Sequence, residues 1–271
     1  MDNTTIILQD LAIGYKTHHH RIVVADHINA QLLAGCMTCL IGPNGVGKST
    51  LMRTLAAFQK PMAGNILLQG QPIEHFSDNM MAKTLSVVLT EKLDVINMTV
   101  SELVGMGRMP YSGFWGTLNG EDQDIVEQAM LRVGIQELAH RRVLTLSDGE
   151  RQKVMIAKAL AQQTPVILLD EPTAFLDYPS KVEILQLMHS LCREENKTVM
   201  LSTHDLELAL QIADTLWLLL EDGSLHVGSP RQLADKGVLT RFIEREGISF
   251  NTELLTVVVD NKNVECENQV H

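Results

Sequence analysis

Apolar and β-branched residues dominate two stretches near the start of the chain, 5–11 and 22–33, and a third, 36–41, that runs straight into a glycine-rich loop. These read as strands. Past the loop, residues 49–58 carry apolar positions at helical spacing. A turn at 61–64 precedes two further strand-like segments, 65–68 and 84–89. From about 98 to 161 the pattern changes. Segments 100–106, 122–133 and 150–161 all show helical spacing, with turns at 110–116, 134 and 141–146, so a mostly helical insert is predicted. Residues 166–169 are apolar without interruption, as expected of a strand covered on both faces. An amphipathic helix at 181–194, a buried strand at 198–202, a helix at 206–213 and a strand at 215–220 follow. After Pro230 the pattern weakens: 231–246 reads as one helix, 253–259 as a strand, and the polar 261–271 as a frayed end. Strands alternating with helices predict an α/β core around a mostly parallel sheet, preceded by an antiparallel β part.

Composition narrows the picture. The chain has 271 residues, 45% of them hydrophobic, enough for one large core or two small ones. No repeat or low-complexity tract stands out. Its net charge is −11, from 33 acidic and 22 basic residues. Nucleic-acid affinity rests on Lys and Arg neutralising phosphates, so no nucleic-acid partner is expected. The longest apolar run, Leu216-Trp217-Leu218-Leu219-Leu220, is far short of the ~20 residues of a membrane helix. The opening Met1-Asp2-Asn3-Thr4-Thr5 lacks the basic start and apolar stretch of a signal peptide. The chain therefore reads as cytosolic, with any membrane role reached through a partner. Cys36 and Cys39 form a C-x-x-C, but on a strand residues three apart face opposite ways, so core packing is the expectation. His18-His19-His20 reads as a solvated loop rather than a metal site.

The candidate chemistry lies in four places. Gly42-Pro43-Asn44-Gly45-Val46-Gly47-Lys48-Ser49-Thr50 fits G-x-x-x-x-G-K-[ST] in full, between a strand and a helix. Glycines let backbone N–H groups converge on phosphates, and the positive end of the following helix adds to the nest. Lys48 is expected to reach the β- and γ-phosphates of a nucleotide, and the Ser49 hydroxyl to bind Mg²⁺. Asp170 and Glu171 end a buried strand, where ligand sites of open α/β sheets lie. Asp170 is placed to hold Mg²⁺, and Glu171 to act on the attacking water as base. His204 follows the next apolar strand and is a candidate for the γ-phosphate. Finally, Leu146-Ser147-Asp148-Gly149-Glu150 opens a helix. Ser147-x-x-Glu150 fits a capping box, and the same geometry gathers a hydroxyl, the Gly149 N–H and a positive helix end into a second phosphate binder. One nucleotide needs one cradle. Two half-sites per chain make sense if two copies pair as a C₂ dimer, each presenting its cap to the other's phosphate loop.

Together these motifs resemble the ATP-binding subunits of ABC transporters over roughly residues 5–245. The resemblance adds Ala174-Phe175-Leu176-Asp177 as the loop that follows the Asp-Glu strand end, His204 as the switch histidine, and Tyr15 as the aromatic that stacks on adenine. Val104-Gly-Met-Gly-Arg-Met-Pro110 with Glu121-Asp122, the run from Glu150 to Ala157 and that from Leu176 to Leu185 look like the ATPases that import iron–siderophores, haem and vitamin B12. The resemblance implies a P-loop nucleotide-hydrolase core with a helical subdomain at about 92–160, all within one domain over 1–245, and a C-terminal extension over 246–271. It further implies ATP and Mg²⁺ as ligands, an ATP-sandwich dimer with Ser147, Asp148, Gly149, Glu150 and Asp177 acting in trans, and membrane permeases fed by a substrate-binding protein. The subunit would lie at the cytoplasmic face of the membrane, held there through the permease. A soluble ABC ATPase in iron–sulfur assembly or repair is the alternative. Two departures from the family pattern stand out. Asp148 replaces the first glycine of the signature and is expected to point away from phosphate. The glutamine that contacts Mg²⁺ falls at Thr90, which offers a shorter oxygen, with Glu91 beside it.

Overall fold

The computed structural model describes residues 3–16, 20–89, 97–112 and 117–259. Thr90 and Glu91 thus lie outside the described residues, as do His18, His19 and the polar end from 260. Two long strands open the chain, β1 (Thr4–Lys16) and β2 (Arg21–Leu33). β3 (Met37–Ile41) enters the glycine loop and α1 (Lys48–Leu55) leaves it. Next come β4 (Ala63–Leu68), the short β5 (Gln71–Pro72), α2 (Asp78–Thr84) and β6 (Leu85–Val88). The helical part follows as α3 (Val100–Gly105), α4 (Gly120–Arg132) and α5 (Asp148–Ala161). The chain then alternates: β7 (Val166–Asp170), α6 (Tyr178–Glu195), β8 (Thr198–Ser202), α7 (Leu206–Ile212), β9 (Thr215–Leu219) and β10 (Leu225–Gly228). It closes with α8 (Pro230–Asp235), α9 (Val238–Ile243) and a hairpin of β11 (Ile248–Asn251) and β12 (Thr256–Val259).

The strands form an antiparallel sheet ordered β2-β1-β4-β5 and a six-stranded sheet ordered β10-β9-β3-β8-β7-β6. In the larger sheet every pairing is parallel except β10 with β9. All five residues of β3, β7 and β8 are buried, which is why these strands read as mostly apolar segments without polar alternation. Alternate residues serve different faces. Ile167 and Leu169 join the core shared with α3, α4 and α5, whereas Val166 and Leu168 join the core shared with α1 and the antiparallel sheet. Both faces being covered, the sheet leaves its strand ends as the accessible edge, and the functional residues collect there.

Several boundaries differ from the sequence expectation. The helix expected over 231–246 is two helices, because Gly237 adopts the left-handed region at φ 68 and breaks the run between α8 and α9. The strand expected from 253 begins at Thr256, after a turn, and pairs with β11, which was not foreseen. Thr84 belongs to α2 rather than to the strand after it.

Candidate nucleotide site

The loop between β3 and α1 is shaped by Gly47, the N-cap of α1, which sits at φ 110. A side chain there would place its Cβ 2.2 Å from Val24 Cγ1, so the loop and β2 meet only because position 47 has none. Lys48 is buried, and its ammonium donates to the carbonyls of Gly42 and Pro43, each at 2.9 Å. Burial pulls the Lys48 pKa below its ordinary value, while the carboxylates of Glu171 and then Asp170 push it back up. The strand-end acids are therefore close enough to the loop lysine to act on its charge. Ser49 is exposed at the first turn of α1.

Tyr15, Val24, Asn44, Gly45, Gly47, Lys48, Ser49, Thr50, Glu171 and His204 line one cleft of about 310 Å³. Tyr15 is 48% exposed, so its ring is available at the mouth. Val24 is the lining residue that the sequence did not single out, since nothing in its strand pattern marks it as opposite the loop. Asp170 is buried at the end of β7, and its Oδ1 accepts the Ser202 hydroxyl at 2.6 Å. Glu171 follows in the left-handed region at φ 49, uncommon for a residue with a side chain. Its Oε1 lies 2.5 Å from His204 Nε2, so the candidate base and the candidate switch residue share one contact.

The signature segment does not line this cleft. Ser147 caps α5: its hydroxyl accepts the Glu150 N–H at 3.2 Å, and the Glu150 carboxylate accepts the Ser147 N–H at 2.8 Å. That backbone donor, with Arg141 beside it, holds the Glu150 carboxyl below its usual range. Asp148 pairs with Arg151 at 3.2 Å one turn along the same helix. A Cβ at Gly149 would come 3.1 Å from the Phe175 carbonyl, so the start of α5 packs against the loop 174–177 of its own chain. Asp177 caps α6 by accepting the Ser180 N–H at 3.3 Å, and Ser180 holds its carboxyl below the ordinary value. Cys36 and Cys39 are free thiols, and burial pushes the Cys39 thiol up to about 12.

A parallel α/β sheet with a phosphate loop at one strand end and an Asp-Glu pair at another defines a P-loop nucleotide hydrolase. Comparison with known proteins narrows the class. Residues 25–174 match the family described as ABC transporter. The iron(3+)-hydroxamate import ATP-binding protein FhuC of Bacillus subtilis is 36% identical over 94% of this chain and 92% of its own length. The achromobactin transport ATP-binding protein CbrD of Dickeya dadantii is 36% identical over 87% of this chain and 86% of its own. Among solved structures, the dimeric bacterial ABC transporter cassette MJ0796 superposes with a TM-score of 0.75 at 26% identity, covering 83% of this chain and 98% of that one. An inward-facing ABC transporter described as metal-chelate type superposes at 0.73 with 27% identity, covering 89% of this chain and 88% of that one. The chain belongs to the ABC transporter family, as an ATP-binding subunit with ATPase activity.

Proposed function

We propose that the protein is the ATPase that drives import of a metal chelate of the iron–siderophore, haem or cobalamin class through a membrane permease. The observation that carries the hydrolytic part is the single cleft that gathers Tyr15, the phosphate loop, Glu171 and His204. The transported class rests on the relatives, named for iron(3+)-hydroxamate import and achromobactin transport, and on the solved transporter of metal-chelate type. The soluble assembly or repair alternative draws no support from them. Among the described residues no helix is long and apolar enough to cross a membrane. We place the subunit at the cytoplasmic face, held there by permease subunits, with a substrate-binding protein delivering cargo.

In this reading residues 1–245 are one ATP-binding domain with a helical subdomain at about 92–160, and 246–271 extend it. Tyr15 stacks on adenine, and the backbone of Gly42, Pro43, Asn44, Gly45, Val46 and Gly47 wraps the phosphates, with Thr50 in the first turn of α1. Lys48 releases its loop carbonyls to meet the β- and γ-phosphates. The Ser49 hydroxyl lines the cleft and the Asp170 carboxylate acts on the charge of Lys48 next to it, and both are hard oxygen donors of the kind that would suit Mg²⁺ shared with phosphates. Bound there, Mg²⁺ neutralises charge on the phosphates. Glu171 orients the attacking water and takes its proton, and His204 steadies Glu171 and the γ-phosphate. Ser147, Gly149 and Glu150 of a second copy close the site from the other side, with Asp177 nearby. Asp148 stays with Arg151 at the helix start, where a carboxylate is favoured.

Replacing Glu171 by Gln tests the hydrolytic reading. We expect the variant to bind ATP, lose turnover by about 10²-fold or more, and accumulate as a dimer in light scattering. A variant that binds ATP yet stays monomeric would sink the two-chain site. For the cargo, cells lacking this subunit are expected to lose uptake of a labelled iron–siderophore, haem or cobalamin, and to regain it with the native gene but not with Glu171→Gln.

A further inference from the structure

Ser202 is the last residue of β8 and is fully buried. β7 and β8 pair in parallel with Asp170 opposite Ser202, so the sheet register itself sets this hydroxyl beside the strand-end acids. Ser202 Oγ donates to Asp170 Oδ1 at 2.6 Å and accepts the Glu171 N–H at 3.0 Å. A hydroxyl has one proton to give and lone pairs to receive, and here both functions go to consecutive residues of the site. The first bond fixes the plane of the Asp170 carboxylate. The second fastens the amide of a residue held in the left-handed region, which is the turn that sends the Glu171 side chain toward His204. A non-glycine residue stays in that region only where its surroundings over-determine it.

We propose that Ser202 is a positioning residue that sets both acids at once: the orientation of the Asp170 carboxylate toward the cation, and the left-handed turn that presents Glu171. The proposal rests on the reading of Asp170 and Glu171 given above. It explains why a polar residue ends a strand whose other positions are buried and mostly apolar, a place where an unpaired hydroxyl would be costly.

The test is Ser202→Ala, with Ser202→Thr as the variant that keeps the hydroxyl. Hydrogen exchange read at the Glu171 amide is expected to speed up by about tenfold or more in Ser202→Ala, and the affinity for Mn²⁺ in the presence of ADP, read by electron paramagnetic resonance, to fall about tenfold, as loss of one charge-assisted hydrogen bond implies. ADP affinity without metal is expected to stay within about twofold and kcat to fall about tenfold with little change in KM, because the phosphate loop is untouched. Ser202→Thr is expected to restore all of these. Unchanged amide exchange and Mn²⁺ affinity in Ser202→Ala would overturn the proposal, as would a folded Ser202→Thr no better than Ser202→Ala. Should the extra methyl group of Thr prevent folding, amide exchange in Ser202→Ala decides alone. Glu171→Gln separates the two levels. If it leaves turnover intact, the site reading fails; if it blocks turnover while Ser202→Ala behaves as wild type, only the role of Ser202 fails.

Discussion

Single positions decide whether the cleft exists. Gly47 combines a φ of 110 with a Cβ that would fall 2.2 Å from Val24. Gly47→Ala should therefore weaken ATP binding by at least about tenfold, since a steric overlap and the left-handed cost of about 1–2 kcal/mol act together. Adding Val24→Ala should recover part of the loss, because it removes the overlap and leaves the backbone cost. Titration with a fluorescent ATP analogue checks both, and equal affinity in all three proteins would show that the loop tolerates a side chain. At this scale the sequence was informative where chemistry is written in local order. The loop Gly42–Thr50, Asp170, Glu171 and His204 stand in recognisable surroundings, and the structure sets much of the loop, Glu171 and His204 around one cleft, with Asp170 buried at the end of β7. Val24 and Ser202 were not legible. Each acts through a partner far along the chain, Gly47 and the Asp170–Glu171 pair, and only strand pairing brings them together.

Elements show the same division. Strands buried on both faces announced themselves as apolar runs, and helices with one buried stripe by their spacing. α2 did not, because none of its seven residues is buried and it has no stripe to read. β10 was missed for a similar reason: its four residues are all half-buried, so neither face stands out. A third kind of silence concerns Arg108 and Asp122, which the family resemblance brought into view without linking them. They form a buried ion pair at 2.8 Å, and Arg108 also donates to the Ala161 carbonyl at 3.0 Å, tying the segment after α3 to the start of α4 and the end of α5. Asp122 in turn accepts the Asn119 N–H at 3.3 Å and completes the cap of α4. Asp122→Ala takes the counter-ion from a buried guanidinium, leaving it only the neutral acceptors Ala161 O and Gln163 Oε1, and opens the cap, so a loss of about 3–5 kcal/mol is expected. Thermal melting measures it. A change below about 1 kcal/mol, the level of an exposed pair, would mean that the Ala161 and Gln163 acceptors suffice for Arg108.

For the whole molecule, the segment from Ser147 to Glu150 has two separable duties. Within one chain it caps α5, a contribution of about 1 kcal/mol. In the proposed dimer it grips the nucleotide of another chain. Ser147→Arg should lower monomer stability by that small amount, leave nucleotide affinity of the monomer unchanged, and prevent both turnover and the ATP-dependent dimer of a Glu171→Gln background. Calorimetry and light scattering distinguish these effects, and a loss of monomer affinity would place Ser147 at its own chain's nucleotide. The order of strands in the larger sheet carries a different consequence, for synthesis. β3 leads into the phosphate loop, yet its neighbours are β8 and β9, with Met37 beside Val199 and Thr38 beside Thr215. Such distant pairings are slow to form because loop closure precedes their reward. On the ribosome, the loop that defines the protein is made early and waits, unsupported, until most of the chain has emerged. Nucleotide has no finished cradle to bind before then, so the ligand cannot protect the early chain.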